Sequence, residues 1–268
     1  MKLTKHLWLA TLGFIFLSAS SCSTPREIAY FQDINQENAS LNVKEKIITL
    51  KPQDKLSIVV KSKDQQLSEL FNLPIQTSRL GYTYGSGYSQ MMSLYTIDSQ
   101  GEVDVPVLGK VKIAGLTREQ VAEKVKKSLT NANLLKDPVV TVEFDNLAFS
   151  VMGEVARPGQ YAIMRDHITI LDALSQAGDL TIYGNRTNVM VLRQEDGGHQ
   201  KIYSVNLCSG HNVMTSPVYY LQQNDVVYVS PNETKARQST VNGNNVRSTS
   251  FWISLASLAT SIGVLIKK

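Results

Sequence analysis

Residues Ser150–Gly178 read SVMGEVARPGQYAIMRDHITILDALSQAG, and this stretch decides the fold. Ser150–Val155 is a β-rich run with a turn-forming Gly153 near its end. Pro158-Gly159 suits the central positions of a type II turn, proline fixing the first φ and glycine admitting a positive φ at the second. Tyr161–Met164 then returns as the partner strand. Thr169 offers an N-cap hydroxyl with Asp172 at N3, and Ile170, Leu171, Leu174 and Ala177 follow at helical spacing. Gly178 closes that helix as an αL cap. Val189–Arg193, Lys201–Asn206 and Asp225–Val229 read as further strands. Strand, hairpin, helix and strands within residues 146–230 make a compact α+β module of β-grasp type.

Upstream lies a second unit, residues 47–145. Ile47–Leu50 leads into the Lys51-Pro-Gln-Asp turn and the short strand Lys55–Lys61. Asp64 to Ser93 reads as a long irregular stretch, with Gly81, Gly85 and Gly87 set among Tyr82, Tyr84 and Tyr88. Its Gly-x-Gly lacks the strand-to-helix context of a dinucleotide site. The tyrosines could stack on sugar rings or simply pack within the loop. Tyr95–Val107 reads as a hairpin tipped by Ser-Gln-Gly, placing Glu102 and Asp104 on one face. With nothing to raise either pKa, these are solvated edge charges rather than a glycosidase pair. Thr117 and Gln120 form a capping box, stapled by Leu116 and Val121, ahead of the apolar stripe Val121, Val125, Leu129. After Asp137-Pro138, Val139–Phe144 alternates as a half-buried strand.

Both ends carry membrane signals. Lys2 and Lys5 precede an 11-residue apolar core, Leu7 to Leu17, and small residues run up to Cys22. As a helix that core rises only about 16 Å, short of the bilayer's roughly 30 Å, which favours a cleaved leader (residues 1–21) over an anchor. Ala19-Ser20-Ser21-Cys22 resembles a bacterial lipobox, making Cys22 the expected lipidation site at the head of a tether, residues 22–46. The alternative is an ordinary signal peptide with an incidental cysteine. Ser23 follows Cys22 where inner-membrane retention favours aspartate, which points to the outer membrane. Acylation would withdraw Cys22 from any disulfide and leave Cys208 to serve as a small hydrophobe.

At the other end, Ser248 to Ile266 holds 19 residues without a charge. That is about 28 Å of helix, a good match to the thin outer membrane. A polar linker, residues 231–249, precedes this membrane helix, residues 250–268. Phe251 and Trp252 suit an interface. Phe251, Leu255, Leu258, Ile262 and Leu265 share one arc at 100° per residue, as the lipid-facing set. Ser254, Ser257 and Ser261 share a narrower one that could face neighbouring helices or a pore. A plain single-span anchor with its serines bonded back to carbonyls is the competing reading.

Composition narrows the classes further. The net charge is +4, of which Lys2 and Lys5 supply two, and no basic stripe appears, so nucleic acid is excluded as a partner. Two cysteines and four histidines, scattered, give no metal-ligand spacing and no cofactor motif. No Ser/His/Asp set or phosphate loop is visible, so an enzyme is not expected.

Asp98–Val111 (DSQGEVDVPVLGKV), Ala114–Gln120 (AGLTREQ), Lys136–Val142 (KDPVVTV), Val151–Gln160 (VMGEVARPGQ), Ile170–Gly184 (ILDALSQAGDLTIYG) and Tyr219–Val229 (YYLQQNDVVYV) together resemble the outer-membrane polysaccharide export lipoproteins. The resemblance implies an export domain over residues 47–145 followed by one soluble-ligand-binding β-grasp domain. It also implies a homo-oligomeric ring in the outer membrane, with a lipid anchor and the folded body in the periplasm. Capsular or exopolysaccharide would be the substrate, and an inner-membrane co-polymerase of the tyrosine-kinase type the partner. Larger members carry more β-grasp domains, so this shorter body needs another protein to bridge the periplasm. A periplasmic glycan-binding lipoprotein that forms no pore is the alternative, and it leaves Ser248–Ile266 without a purpose.

Overall fold

A computed structural model of the protein describes residues 28–34, 43–72, 94–195, 198–240 and 248–266. Cys22 and the Tyr/Gly loop at 81–88 lie outside the described residues.

The first domain is organised by β1 (Lys55–Lys61), which pairs antiparallel with β2 (Leu94–Thr96) on one side and β5 (Val139–Phe144) on the other. Leu56, Ile58 and Val60 alternate into the core, where Val121, Val125 and Leu129 of helix α2 (Arg118–Asn131) meet them. Helix α2 starts where the capping box requires: Thr117 Oγ1 accepts from the Gln120 N–H, and Gln120 Oε1 accepts from the Thr117 N–H at 3.0 Å. Within the stretch read as irregular, Gln65–Phe71 forms a short helix, α1. Asp64 caps it, and it buries Phe71.

The hairpin expected over Tyr95–Val107 is not formed. The Ser-Gln-Gly turn is closed by backbone bonds, Gly101 N–H to the Asp98 carbonyl at 3.0 Å and Asp98 N–H to the Glu102 carbonyl at 2.9 Å, and by Asp98 Oδ1, which accepts from the Gln100 and Glu102 N–H groups at 2.9 and 2.8 Å. The flanking segments then part: β2 joins β1, while β3 (Glu102–Val105) pairs with β4 (Gly109–Lys112). Glu102 and Asp104 do share a face, and Glu102 reaches Lys110 at 3.9 Å.

The second domain is a five-stranded mixed sheet built from β6 (Ala148–Gly153), β7 (Gly159–Ala162), β8 (Gly184–Gln194), β9 (Gln200–Val205) and β10 (Val226–Pro231). Their order is β7-β6-β10-β8-β9, with first and last strands running parallel at the centre and the other neighbours antiparallel. Helix α3 (Ile170–Gln176) presses Ile170, Ala173 and Leu174 into the same core as Phe149, Val151, Val189, Val191, Val227 and Val229. A helix gripped by a sheet of this order is the β-grasp arrangement expected. The Thr169–Asp172 capping box is formed. At the other end, Gly178 (φ +77°) donates to Ser175 and Asp179 to Leu174, closing a Schellman motif.

Pro158-Gly159 corrects the sequence reading. Gly159 lies in β7 opposite Val151, its φ outside the left-handed region, with open space where a Cβ would stand. The type II turn is therefore absent. The strained glycine is Gly153 instead: its φ is +93°, and a Cβ there would sit 2.0 Å from the Val229 carbonyl oxygen. Close approach of the paired central strand excludes any side chain at that point.

Two further short helices were not foreseen. Helix α4 (Gly210–Thr215) follows β9. Helix α5 (Glu233–Gln238) occupies part of the polar linker, capped by Asn232, with acid in its first turn and Lys235 and Arg237 in its last, as the helix dipole favours. The C-terminal helix α6 (Thr249–Ile266) is exposed along its length.

Gly153→Ala is expected to destabilise the detergent-solubilised protein by about 3 kcal/mol or more, combining φ strain with a backbone clash. Gly159→Ala is expected to stay within about 1 kcal/mol of the parent. Thermal unfolding of both variants checks this pair of outcomes.

Candidate functional site

The second domain's buried face carries two charges. Arg193 follows Val189 and Val191 on the inward side of β8, and Asp225 precedes Val227 and Val229 on the inward side of β10. One register step beyond the Val226–Leu192 pair brings them together. Arg193 Nε donates to Asp225 Oδ1 at 3.0 Å and its Nη2 to Oδ2 at 2.6 Å, a two-pronged contact with side chains only 7% and 1% exposed. Buried charges need every remaining lone pair and proton satisfied. Here the surplus goes to one loop. Arg193 also donates to the carbonyls of Pro217 (3.2 Å) and Tyr220 (2.9 Å), and Asp225 accepts from the Gln222 N–H at 2.8 Å. The ion pair thereby fixes residues 217–222.

That loop presents Tyr219 and Tyr220, whose rings meet edge to face with centroids 4.9 Å apart, and Tyr220 meets His167 likewise at 6.0 Å. Burial, then the charge fields of Tyr220 and Asp172, raise the Tyr219 phenol above its ordinary value, so it stays a neutral donor. Opposite runs the approach to the first domain, Val43–Lys46. The two walls enclose an open cleft of about 530 Å³, within the range of small-molecule sites. The approach segment is itself anchored: Glu45 receives His167 Nδ1 at 2.9 Å, and the Ile48 N–H donates to the Asp166 carbonyl at 2.8 Å.

The domain joint lies next to this cleft. Arg118, at the start of α2, reaches Glu143 at 2.7 Å and Asp166 of the second domain at 2.8 Å while standing over the Phe144 ring. The Gln223 amide donates to the Thr49 carbonyl at 2.9 Å and to Asp54 Oδ2 at 3.2 Å. Burial pushes the Asp54 carboxyl above the ordinary range, although the Lys51 N–H, the Gln223 amide and the Lys51 charge oppose it.

The tether read as residues 22–46 contains a docked strap, 28–34. The Phe31 and Gln32 N–H groups donate to the carbonyls of Leu207 (3.2 Å) and Cys208 (2.7 Å), Tyr30 donates to Asp179, and Asp33 Oδ1 accepts from Gly210 at the start of α4 at 2.6 Å. Cys208 is half-buried under the strap rather than a core residue.

On α6, Ser254, Ser257 and Ser261 fall along one line of the helix and Leu255, Leu258, Ile262 and Leu265 along another, with Phe251 stacked edge-on to Trp252 at 5.8 Å. Ser261 donates to the Ser257 carbonyl at 2.9 Å, so its hydroxyl is satisfied whichever medium it faces. By length and composition α6 is the one helix among the described residues able to cross a membrane. Among the described residues no group of three or more His, Cys, Asp or Glu is placed to hold a metal.

Comparison with known proteins matches residues 43–145 to the polysaccharide biosynthesis/export protein family and residues 147–229 to the SLBB domain. The chain belongs to the polysaccharide export family. Its members matched here are transport components rather than enzymes. The EPS I polysaccharide export outer membrane proteins EpsA of Ralstonia solanacearum and Ralstonia nicotianae are each 29% identical over 167 residues, 60% of this chain. The aligned part is 43% and 42% of those relatives, so the chain spans less than half the length of the curated proteins it matches. In this chain the two matched regions meet at the Phe144–Leu147 junction, where the hydrophobic cores of both domains touch Phe144.

Arg193→Met is expected to cost about 3–5 kcal/mol, because Asp225 is left buried and uncompensated. The double replacement Arg193→Met/Asp225→Leu should recover most of that loss. Denaturant unfolding of the two variants measures it, and a double variant no more stable than the single would count against the pair as the source of the loss.

Proposed function

We propose that the chain is a lipid-anchored subunit of an oligomeric outer-membrane channel that exports capsular or exopolysaccharide. The observation that carries this reading is one apolar, fully exposed helix, α6, downstream of a region matching the polysaccharide export family and a region matching the SLBB domain. The relatives' naming as outer membrane exporters of EPS I supports the same compartment and cargo class.

The geometry bears on orientation. The strap's first described residue, 28, lies six positions after Cys22, a reach of about 20 Å at full extension. The strap is docked on the second domain, and α5, packed against β10, leads on to α6. An acylated Cys22 and a membrane-spanning α6 therefore both pull on the second domain. This favours a body with the second domain beside the membrane and the first domain reaching into the periplasm, where an inner-membrane co-polymerase would meet it.

One α6 per subunit, gathered in a ring, can wall a pore because a helix satisfies its own backbone hydrogen bonds in lipid. Small hydroxyl side chains at 254, 257 and 261 allow close helix approach and offer polar contact without a fixed charge.

Cys22→Ala is expected to abolish lipid labelling and slow leader removal, and normal labelling would refute the anchor. In a Cys208→Ala background, cysteines at 254, 257 and 261 should react with water-soluble thiol reagents while those at 255, 258 and 262 stay largely protected. Labelling without a helical period, or export that survives deletion of residues 248–268, would favour a pore-less glycan-binding lipoprotein.

A further inference from the structure

The cleft between 43–46 and 214–220 has a chemical character that membrane anchoring and ring assembly do not use. One wall carries two lysines, Lys44 and Lys46, two residues apart on an extended segment. Neither forms an ion pair among the described residues. The acid between them, Glu45, also lines the cleft and meets His167 Nδ1 at 2.9 Å, so two cations face one acid and the wall keeps a net positive character. The surrounding protein lowers the Lys46 ammonium from its ordinary value: burial contributes most, then the Arg193 charge, with Asp225 opposing and Lys51 adding. A cation held there gains from an anion brought in by a ligand.

The other wall is aromatic. Tyr219 and Tyr220 sit edge to face, which gives the cleft a ring face, electron-rich, next to a phenol donor. The C–H groups on one face of a hexose carry partial positive charge and pack on such a surface, and sugar hydroxyls accept from a phenol. The wall is also rigid, since the loop beneath it is tied to the buried Arg193–Asp225 pair by three hydrogen bonds. Rigid aromatic anchors lose little entropy on binding.

Resting on the export reading above, we propose that this cleft binds an acidic sugar of the exported glycan, its carboxylate at Lys44 and Lys46 and its ring against Tyr219 and Tyr220. A neutral hexose would use only the aromatic wall. An inorganic anion would use only the lysines. A hexuronate uses both, and the substrate class that follows is an acidic exopolysaccharide.

The test is titration of the full-length protein in detergent with trigalacturonate, with maltotriose and with inorganic phosphate as comparison probes. Trigalacturonate should bind at least about ten-fold more tightly than either, the margin one charge-assisted contact provides, and its affinity should fall as salt rises. Lys44→Gln/Lys46→Gln exchanges exposed side chains, should leave the unfolding temperature unchanged, and should erase the preference for the acidic sugar. Tyr219→Phe should keep most of the binding, as the ring face is retained. Equal affinity for the acidic and neutral sugars, phosphate binding as tightly as trigalacturonate, or a double variant with its preference intact would each overturn the proposal. The export reading stands or falls separately, on glycan release by cells that lack residues 248–268.

Discussion

Arg193 and Asp225 ride on neighbouring strands of a sheet whose inward face is otherwise aliphatic, and the cost of keeping two charges there shapes what surrounds them. The guanidinium has more protons than one carboxylate can accept, so it draws in the Pro217 and Tyr220 carbonyls. The carboxylate has a spare lone pair and takes the Gln222 N–H. A loop of irregular backbone is thus held as firmly as a strand. Its next residue, Gln223, bonds Thr49 and Asp54 across the domain joint. From one buried pair, the cleft wall and part of the joint follow.

The chain's course reinforces that arrangement. From strap 28–34 on the second domain it passes the cleft at 43–46, builds the first domain, and only then forms the sheet on which the strap lies. Ile48 belongs to the second domain's core and Leu50 to the first, so the approach segment crosses between cores within three residues. Arg118 closes the joint from the other side, bridging Glu143 and Asp166. Relative motion of the domains would have to break these contacts together.

Much of the fold was legible because its signals are local. The caps at Thr117 and Thr169, the Gly178 stop and the alternation in β6, β8 and β10 each depend on residues within a few positions of one another, and each stands where the sequence places it. The failures share a cause. Pro158-Gly159 has the composition of a type II turn, but strand pairing with Val151 overrides that preference, and the constraint on Gly153 comes from Val229, distant in sequence. The Tyr95–Val107 hairpin gave way to pairing with other strands, Leu94–Thr96 with β1 and Glu102–Val105 with β4. Strap 28–34 has no period to read, because its partners are backbone groups near residues 207–210. Of the cleft, only Arg193 and Asp225 left a trace in the sequence: charges in inward register on strands otherwise apolar there. Tyr219, Tyr220 and Lys46 had none, since a loop and a tether gain meaning only when the fold sets them face to face.

The account's central claim is that identical subunits gather so that their single membrane helices enclose one path. Electron cryo-microscopy of the full-length particle extracted in mild detergent tests this most directly. A closed ring is predicted, with one copy of 249–266 per subunit converging on a common axis at the end nearest strap 28–34, and the first domains at the far end. A particle that remains a monomer, or a ring whose helices 249–266 splay outward around no shared lumen, would contradict it.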